Sequence, residues 1–173
     1  ACDEILTRYS RGTRYGIRMD SDGLLTAGAP GVALTWMDAI VDGVPVTPRA
    51  GKAVEVQALW INALEFAASW NTRWRVTAAR ARDSFAKRFW NERHGCLFDV
   101  VDVDHMAGAV DDRLRPNQVF ACGGLPLALV EGTRAKSIVD VLVKELWTPM
   151  GLRTLACSEP GYVGRVDGPL RER

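Results

Sequence analysis

The sequence lacks an excess of either charge. Lysine and arginine together number 22 and aspartate and glutamate number 21, so the formal net charge at pH 7 is +1. Proteins that bind nucleic acids usually carry a basic excess or a basic stripe, and the sequence has neither. We therefore predict no nucleic-acid partner.

The sequence also lacks a long apolar run. The longest one, residues 119–130, is shorter than the about 20 residues that a membrane-spanning helix needs, and it contains Gly123, Gly124 and Pro126. The chain starts at Ala1, and no basic and apolar signal segment follows. We predict no membrane partner, and we interpret the chain as a fragment of a longer protein.

Cysteine and histidine are few and widely spaced. No C-x-x-C pair exists, and neither histidine stands at zinc-ligand spacing to a cysteine; these residues are Cys2, Cys96, Cys122, Cys157, His94 and His105. The spacing favours free, mostly buried thiols in a cytosolic protein, with disulfides as the alternative. No metal site is predicted, and the sequence contains no motif for a nucleotide or other cofactor.

Four stretches have the apolar spacing i, i+3, i+4, i+7 that is typical of a helix with one buried face. They are residues 52–70, 76–90, 116–130 and 133–147. We expect Pro116 to occupy the first turn of the third helix and the Gly123-Gly124 pair to bend or break that helix. Thr133 is the expected cap of the fourth helix.

Long Gly- and Asp-rich stretches separate the predicted helices. They cover residues 12–51, 91–115 and 148–173, and we expect loops with short β hairpins there. Loops of this length are uncommon in a compact domain unless they have a function. The pattern predicts an all-α protein of helix pairs, with the long loops forming a binding site at one end.

Asp38 is the candidate general acid. It follows an apolar run, residues 32–37, and contact with Trp36 and Met37 would desolvate its carboxyl group and raise its pKa. A general acid for glycoside cleavage must hold a proton at neutral pH. A role in a cap or turn is the alternative for Asp38, and it is the simpler interpretation for Asp42, which precedes Gly43.

Polar residues near the first long helix are the next candidates. Glu55 and Asn62 project from one face of an otherwise apolar helix, so they must either find partners inside the protein or line a cavity for a polar ligand. The guanidinium group of Arg49 has the shape to pair with a carboxylate, such as that of Asp42 or Glu55.

Two amides and one indole complete the set of candidates. Asn117 and Gln118 stand at a helix start, where their amides suit sugar hydroxyls, although helix capping by Asn117 is an equal alternative. Trp36 is the tryptophan that lies in a loop beside the candidate acid. Its ring suits stacking on the apolar face of a sugar.

Ordered blocks of the sequence closely resemble the C-terminal glucosidase domain of glycogen debranching enzymes, and together they cover essentially the whole chain. The blocks are residues 12–16 (GTRYG), 22–25 (DGLL), 31–39 (GVALTWMDA), 46–52 (VTPRAGK), 54–64 (VEVQALWINAL), 89–92 (FWNE), 97–102 (LFDVVD), 114–118 (LRPNQ) and 148–155 (TPMGLRTL).

The resemblance implies an (α/α)6 toroid and an inverting glycosidase that removes the α-1,6-linked glucose left at a glycogen branch point. It implies a cytoplasmic protein whose partner is glycogen or another branched α-glucan, with no cofactor. The family's general acid corresponds to Asp38, and the general base is expected outside this chain. Residues 1–173 are then a fragment of a single glucosidase domain.

All of the candidate sugar-binding residues except Asp42 lie in the matching blocks. The candidates are Trp36, Asp42, Arg49, Glu55, Asn62, Asn117, Gln118 and Arg153. Two alternatives to a debranching glucosidase stay open. One is another toroidal glycosidase or a sugar epimerase, and the other is a fragment that binds glucan without catalysis.

Overall fold

The structure, a computed structural model, describes residues 1–164. It is mixed in secondary structure, with 43% of residues in helices and 15% in strands of several small sheets. The prediction of an all-α protein, part of an (α/α)6 toroid, is therefore wrong. The stretches that were expected to be mainly loops hold most of the strands.

Within residues 1–164 there are five α-helices. They are α1 (Cys2–Arg11), α2 (Val54–Ala68), α3 (Arg75–Arg88), α4 (Val119–Cys122) and α5 (Gly132–Leu146). Short 3₁₀ turns precede α3 and α4, at Thr72–Trp74 and Pro116–Gln118. Two more lie in the loops, at Arg14–Gly16 and Val103–His105. None of the five helices is long and apolar enough to cross a membrane.

The predicted helices at 52–70, 76–90 and 133–147 are confirmed as α2, α3 and α5. The third predicted helix is broken as expected, because α4 ends at Cys122, directly before Gly123. The prediction that Thr133 caps the fourth helix is wrong, since α5 starts at Gly132 after Glu131. Helix α1 was missed: it has ten residues, most of them polar, and only Leu6 is buried.

The described residues contain eleven strands, and all of them are two residues long. They are β1 (Arg18–Met19), β2 (Leu25–Thr26), β3 (Ile40–Val41), β4 (Val44–Pro45), β5 (Lys52–Ala53), β6 (Trp90–Asn91), β7 (Cys96–Leu97), β8 (Val100–Val101), β9 (Val110–Asp111), β10 (Trp147–Thr148) and β11 (Gly151–Leu152).

The strands pair antiparallel in small sheets. Hairpins join β1 to β2, β3 to β4, β6 to β7 and β10 to β11, while β5, β8 and β9 form a three-stranded sheet in the order β5-β8-β9. A strand of two residues cannot display the alternation of period two by which strands are recognised in a sequence. This is why the sequence pattern predicted the positions of the helices, whereas it indicated short β hairpins only in general between them.

Helix α2 lies at the centre of the core and packs mainly on α3. Ile61 and Leu64 on α2 are fully buried, as is Ala81 on α3. Phe85 at the end of α3 stacks on Phe89, with ring centroids 4.6 Å apart. Because α2 is apolar on most of its surface, it is a core helix, and the strands that surround its N-terminus are held in place by it.

An ion cluster around the buried Lys52 fixes the hairpin β1–β2 against the end of α3. The ammonium group of Lys52 contacts Asp20, Asp22 and Asp102 at 3.1, 2.8 and 2.9 Å, and the guanidinium group of Arg88 pairs with Asp22 and Asp102. We call these five residues the Lys52 cluster. The five side chains pair with one another, so the cluster holds these segments of the fold together.

Candidate functional site

Trp36 is anchored at one end and exposed at the other. Its side chain lies in the loop before β3 and is 54% exposed. Its indole Nε1 donates a hydrogen bond of 2.9 Å to Oδ1 of Asn117, a residue that is 1% exposed at the start of the segment leading into α4. The exposed ring is thus attached to the buried part of the molecule through its one polar atom.

Asp38 lies two residues after Trp36 and is exposed. The sequence predicted that Trp36 and Met37 would desolvate its carboxyl group, but within residues 1–164 nothing covers it in that way. Desolvation of Asp38 would therefore need a surface that is not among the described residues, such as a bound substrate. Its role as the general acid stays a prediction.

Arg49 is the centre of the buried polar groups beneath this loop. It is 7% exposed, and its Nη1 and Nη2 donate to Oε1 and Oε2 of Glu55 at 2.5 and 2.7 Å. Its Nε and Nη2 also donate to Oδ2 and Oδ1 of Asp99 at 2.8 and 2.9 Å. Two parallel carboxylate pairs use the whole fork of the guanidinium group, which is the geometry in which arginine binds most strongly.

The charges around Arg49 shift the pKa values of the groups that share this site. Burial alone would lower the pKa of Arg49, but its bonds to Glu55 and Asp99 raise that pKa above the ordinary value. Burial raises the pKa of Asp99, against the opposing effect of Arg49 and of Asn117. The arginine therefore stays charged, and it is the group that makes two buried carboxylates tolerable here.

Asp99 links Arg49 to the exposed tryptophan. Its Oδ1 accepts a hydrogen bond of 2.7 Å from Nδ2 of Asn117, whose Oδ1 accepts the bond from Trp36. We call the chain Glu55, Arg49, Asp99, Asn117 and Trp36 the Arg49 network. The structure thus brings together four of the candidate sugar-binding residues, and it adds Asp99, which the sequence analysis did not select.

A signal for Asp99 is present in the sequence. It is an acidic residue with Leu97 and Phe98 before it and Val100 and Val101 after it. A carboxylate within an apolar run must find a buried partner, so this pattern pointed to an ion pair. What the pattern did not reveal is the partner, because Arg49 is fifty residues away in the sequence.

Glu55 and Asn62 both have partners inside the protein, which was one of the two alternatives for them. The carboxylate of Glu55 forms an ion pair with Arg49. The amide of Asn62 bonds the backbone N–H and C=O of Leu127 at 2.8 and 3.0 Å and so holds the segment after α4. Contact of either residue with a sugar stays a prediction.

Gln118 and Arg153 also bind the protein backbone. Gln118 is buried and accepts a bond of 2.9 Å from the N–H of Leu97. Arg153 follows β11 and its Nη1 donates to the carbonyl of Trp147 at 3.4 Å. Neither residue belongs to the Arg49 network, and their proposed sugar contacts are not tested by these bonds.

Asp42 occupies the turn that the sequence predicted. Asp42 and Gly43 form the two-residue loop between β3 and β4, with φ of 51° and 77°. Positive φ at both positions is typical of a type I′ hairpin turn, for which the pair Asp-Gly is suited. The hairpin lies directly after Asp38 in the chain, so it limits the freedom of that loop.

A cavity of about 230 Å³ lies behind the loop that carries Trp36 and Asp38. Val32, Leu34, Thr35, Thr47 and Arg49 are among its lining residues.

All four cysteines are free. Cys2 and Cys157 are exposed, and burial raises the pKa of both Cys96 and Cys122 to about 11. Residues 1–164 contain no group of three or more side chains arranged to hold a metal ion.

Comparison with known proteins gives the fold and the family of this chain. The chain is similar to the crystal structure of a GH78 family rhamnosidase of Bacillus sp. GL1, with 22% sequence identity and a TM-score of 0.54. The match covers 88% of this chain and 15% of the rhamnosidase chain, and at this identity it shows a glycoside hydrolase-like fold alone. No curated protein matched the sequence.

A family model matches the chain from residue 1 to residue 173, and its description is amylo-alpha-1,6-glucosidase. The match contains all of the ordered blocks, from residue 12 to residue 155, that resemble the C-terminal domain of glycogen debranching enzymes, so that resemblance is confirmed. The chain belongs to the amylo-alpha-1,6-glucosidase family.

Proposed function

We propose that this chain is part of a glucosidase domain that removes α-1,6-linked glucose at the branch points of glycogen. The observation that carries the proposal is the match of the amylo-alpha-1,6-glucosidase family over the whole chain. Trp36 and Asp38 support it, because both are exposed and stand two residues apart on one loop, and an aromatic ring and a carboxyl group suit a sugar. For a glycogen substrate we propose a cytoplasmic location.

In this proposal Asp38 supplies the proton for the leaving group. The carboxylic acid of Asp38 protonates the glycosidic oxygen as the bond between that oxygen and the anomeric carbon breaks. A water molecule attacks the anomeric carbon from the opposite face, and its proton passes to a general base on a part of the protein outside this chain. The product glucose has the inverted configuration.

The substrate helps to prepare the acid. Because Asp38 is exposed in the described residues, its carboxyl group is ordinarily solvated. A branched glucan stacked on Trp36 excludes water from this surface, so the carboxyl group of Asp38 and the glycosidic oxygen share a site from which water is removed. We propose that Arg49, Glu55, Asn117 and the buried Gln118 fix the shape of the site, and that Asp42, Asn62 and Arg153 contact sugars further from the bond that breaks.

The exchange Asp38→Asn in the full-length protein tests the proposal. The amide keeps the shape of the side chain but has no proton to give, so hydrolysis of a glucan with a single α-1,6-linked glucose should slow about 10²–10⁴-fold. Hydrolysis of α-glucosyl fluoride should slow far less, since fluoride leaves without a proton. Release of glucose from both substrates measures the two rates.

The matched control is Asp83→Asn, an exposed carboxylate on α3 that pairs with Lys87. It should leave both rates unchanged. If Asp38→Asn cleaves the branched glucan within a few-fold of wild type, Asp38 is not the acid. If the wild-type protein binds the glucan but never releases glucose, binding without catalysis replaces the proposal. Preferential cleavage of an α-rhamnoside would instead favour the activity named for the rhamnosidase.

A further inference from the structure

Trp36 is held in place by a single polar bond. An exposed ring on a loop has several rotamers within reach, and ordering it on a ligand costs side-chain entropy. The bond from the Trp36 indole N–H to Oδ1 of Asn117 removes that freedom before any ligand arrives. The direction in which the ring faces therefore depends on the orientation of one amide.

An asparagine amide has two orientations, which exchange its oxygen and its nitrogen. At Asn117 the neighbour on the buried side decides between them. Asp99 is a pure acceptor when ionised, so it requires the NH₂ group of Asn117, and it receives that group at 2.7 Å. The oxygen of the amide must then face Trp36, which has only a donor to offer.

Asp99 in turn is fixed from the opposite side. Arg49 donates to both of its carboxylate oxygens, at 2.8 and 2.9 Å, and Arg49 is itself held by Glu55 on α2. Asp99 is 2% exposed, so it has no surface on which to touch a sugar. Within the Arg49 network only Trp36 is exposed, so the influence of Asp99 on a ligand passes through Asn117 to Trp36.

We propose that Asp99 is a positioning residue for the glucan site: it sets the orientation of the Asn117 amide and thereby presents the ring of Trp36 to the sugar. The inference rests on the proposed function for the identity of the ligand, and on the structure alone for the positioning. Its chemical basis is the order of donors and acceptors from Arg49 to Trp36, which admits one arrangement.

The exchange Asp99→Asn in the full-length protein breaks that order. The new side chain has one acceptor oxygen, and its NH₂ group must face a donor on either Arg49 or Asn117, so the amide of Asn117 loses its single orientation. The KM for the branched glucan should rise about fivefold to tenfold, the equivalent of one lost hydrogen bond, with kcat little changed. Trp36→Phe keeps a ring without the N–H and should give a similar rise.

Two measurements separate positioning from a general loss of stability. In Trp36→Phe, the further change Asp99→Asn should raise KM by less than about twofold, because the bond it acts through is already absent. Fluorine NMR of protein labelled with fluorotryptophan reports the ring directly. The Trp36 signal is assigned by its absence in Trp36→Phe, and it should shift or split in Asp99→Asn.

Asp111→Asn is the matched control. Asp111 is a buried carboxylate on the neighbouring strand β9, and it pairs with Arg113 instead of Asn117. It should leave the Trp36 signal and the KM unchanged. If Asp99→Asn does not fold, Asn117→Ala replaces it, because that variant leaves the pair of Arg49 and Asp99 intact while removing the acceptor for Trp36; the same NMR shift and KM rise are expected.

An unchanged Trp36 signal in folded Asp99→Asn, or additive effects of Asp99→Asn and Trp36→Phe on KM, would overturn the positioning role. Failure of the proposed function looks different. In that case the wild-type protein releases no glucose from the branched substrate, while the Trp36 signal still responds to Asp99→Asn and still ignores Asp111→Asn.

Discussion

Arg49 and Lys52 stand three residues apart in the chain, and both are buried cations. The side chains bound to Arg49 lead to the molecular surface, whereas those bound to Lys52 connect parts of the fold. The Arg49 network begins at Glu55 on α2 and ends at an exposed ring, that of Trp36. The Lys52 cluster instead holds segments of the fold to one another: Asp22 and Asp102 are shared between Lys52 and Arg88, and Asp20 contacts Lys52.

The difference lies in the chemistry of the two cations. The guanidinium group of Arg49 donates in one plane and in fixed directions, so each carboxylate oxygen beside it has a defined partner. The ammonium group of Lys52 is a point charge that three aspartates approach from different sides. Directional bonds can transmit an orientation to a neighbouring amide, whereas a shared point charge only holds segments together. This is why we place the ligand site at the end of the Arg49 network.

The largest expected effect is on stability, when each of the two cations is replaced by methionine. Arg49→Met leaves the buried Glu55 without its cation, and it leaves Asp99 only Arg115, whose Nε lies 3.6 Å from Oδ2 of Asp99 and makes no hydrogen bond. Breaking a buried pair in this way costs about 3–5 kcal/mol of unfolding free energy. Lys52→Met leaves Arg88 in contact with Asp22 and Asp102, so a smaller loss of about 1–3 kcal/mol is expected.

Urea denaturation of the full-length wild type and of the two variants measures both losses. Equal losses would show that Arg88, the second cation of the Lys52 cluster, does not compensate for the loss of Lys52. The expected difference in stability between the two variants would then be wrong.

Gly51 lies between the two cations, and its backbone joins the network to the cluster. Its φ is 123°, and a Cβ atom there would lie 2.5 Å from the carbonyl oxygen of Asp102. Gly51→Ala combines a strained φ with a backbone clash, so it should lower the unfolding free energy by about 3 kcal/mol. Gly43 in the β3–β4 turn also has positive φ, but an added Cβ meets nothing within 4 Å there.

Gly43→Ala is thus the matched control, and it should cost only the conformational strain, about 1 kcal/mol. The two variants are compared by urea denaturation under identical conditions. A loss at Gly51 no larger than that at Gly43 would mean that the segments carrying Arg49 and Lys52 move apart freely, contrary to the close contact seen here.

The helical half of the fold was predictable from the sequence because its signal is local and long. Helices α2, α3 and α5 have 14 or 15 residues, enough for several repeats of the apolar spacing. The sheets were not predictable in this way, because pairs of two-residue strands carry no period. The strand β5 even pairs with β8, almost fifty residues further along the chain.

The same distinction between local and distant signals applies to the candidate site. Trp36, Asp38 and Arg49 were selected from residue type and neighbours, and the resemblance to a family added weight to each. The partner of Arg49 could not be read from neighbours: the sequence suggested Asp42 or Glu55, and the structure gives Glu55 together with Asp99. A contact between distant residues is set by the fold, and no local pattern encodes it.

The smallest expected effect concerns pH. The contributions of Asp102 in the Lys52 cluster and of Asp99 in the Arg49 network to the unfolding free energy should change with pH in opposite directions. Although burial acts to raise the pKa of Asp102, its bonds to Arg88, Gly108 and Lys52 lower it below the ordinary value. Asp102 therefore contributes stability that is present above its unfolded pKa, about 3.9, and is lost as the pH falls towards the folded value. Burial raises the pKa of Asp99, so its contribution is present at low pH and is lost as the pH rises through the folded value.

Unfolding free energies of wild type, Asp102→Asn and Asp99→Asn between about pH 6 and about pH 2 test these signs. The advantage of wild type over Asp102→Asn, about 1–2 kcal/mol near neutral pH, should shrink as the pH falls. The advantage of wild type over Asp99→Asn should instead grow over the same range, because the folded wild type takes up a proton that the unfolded chain binds less readily. Parallel curves for the two variants would mean that Arg49 outweighs burial at Asp99, and the Arg49 network would then respond to acid as the Lys52 cluster does.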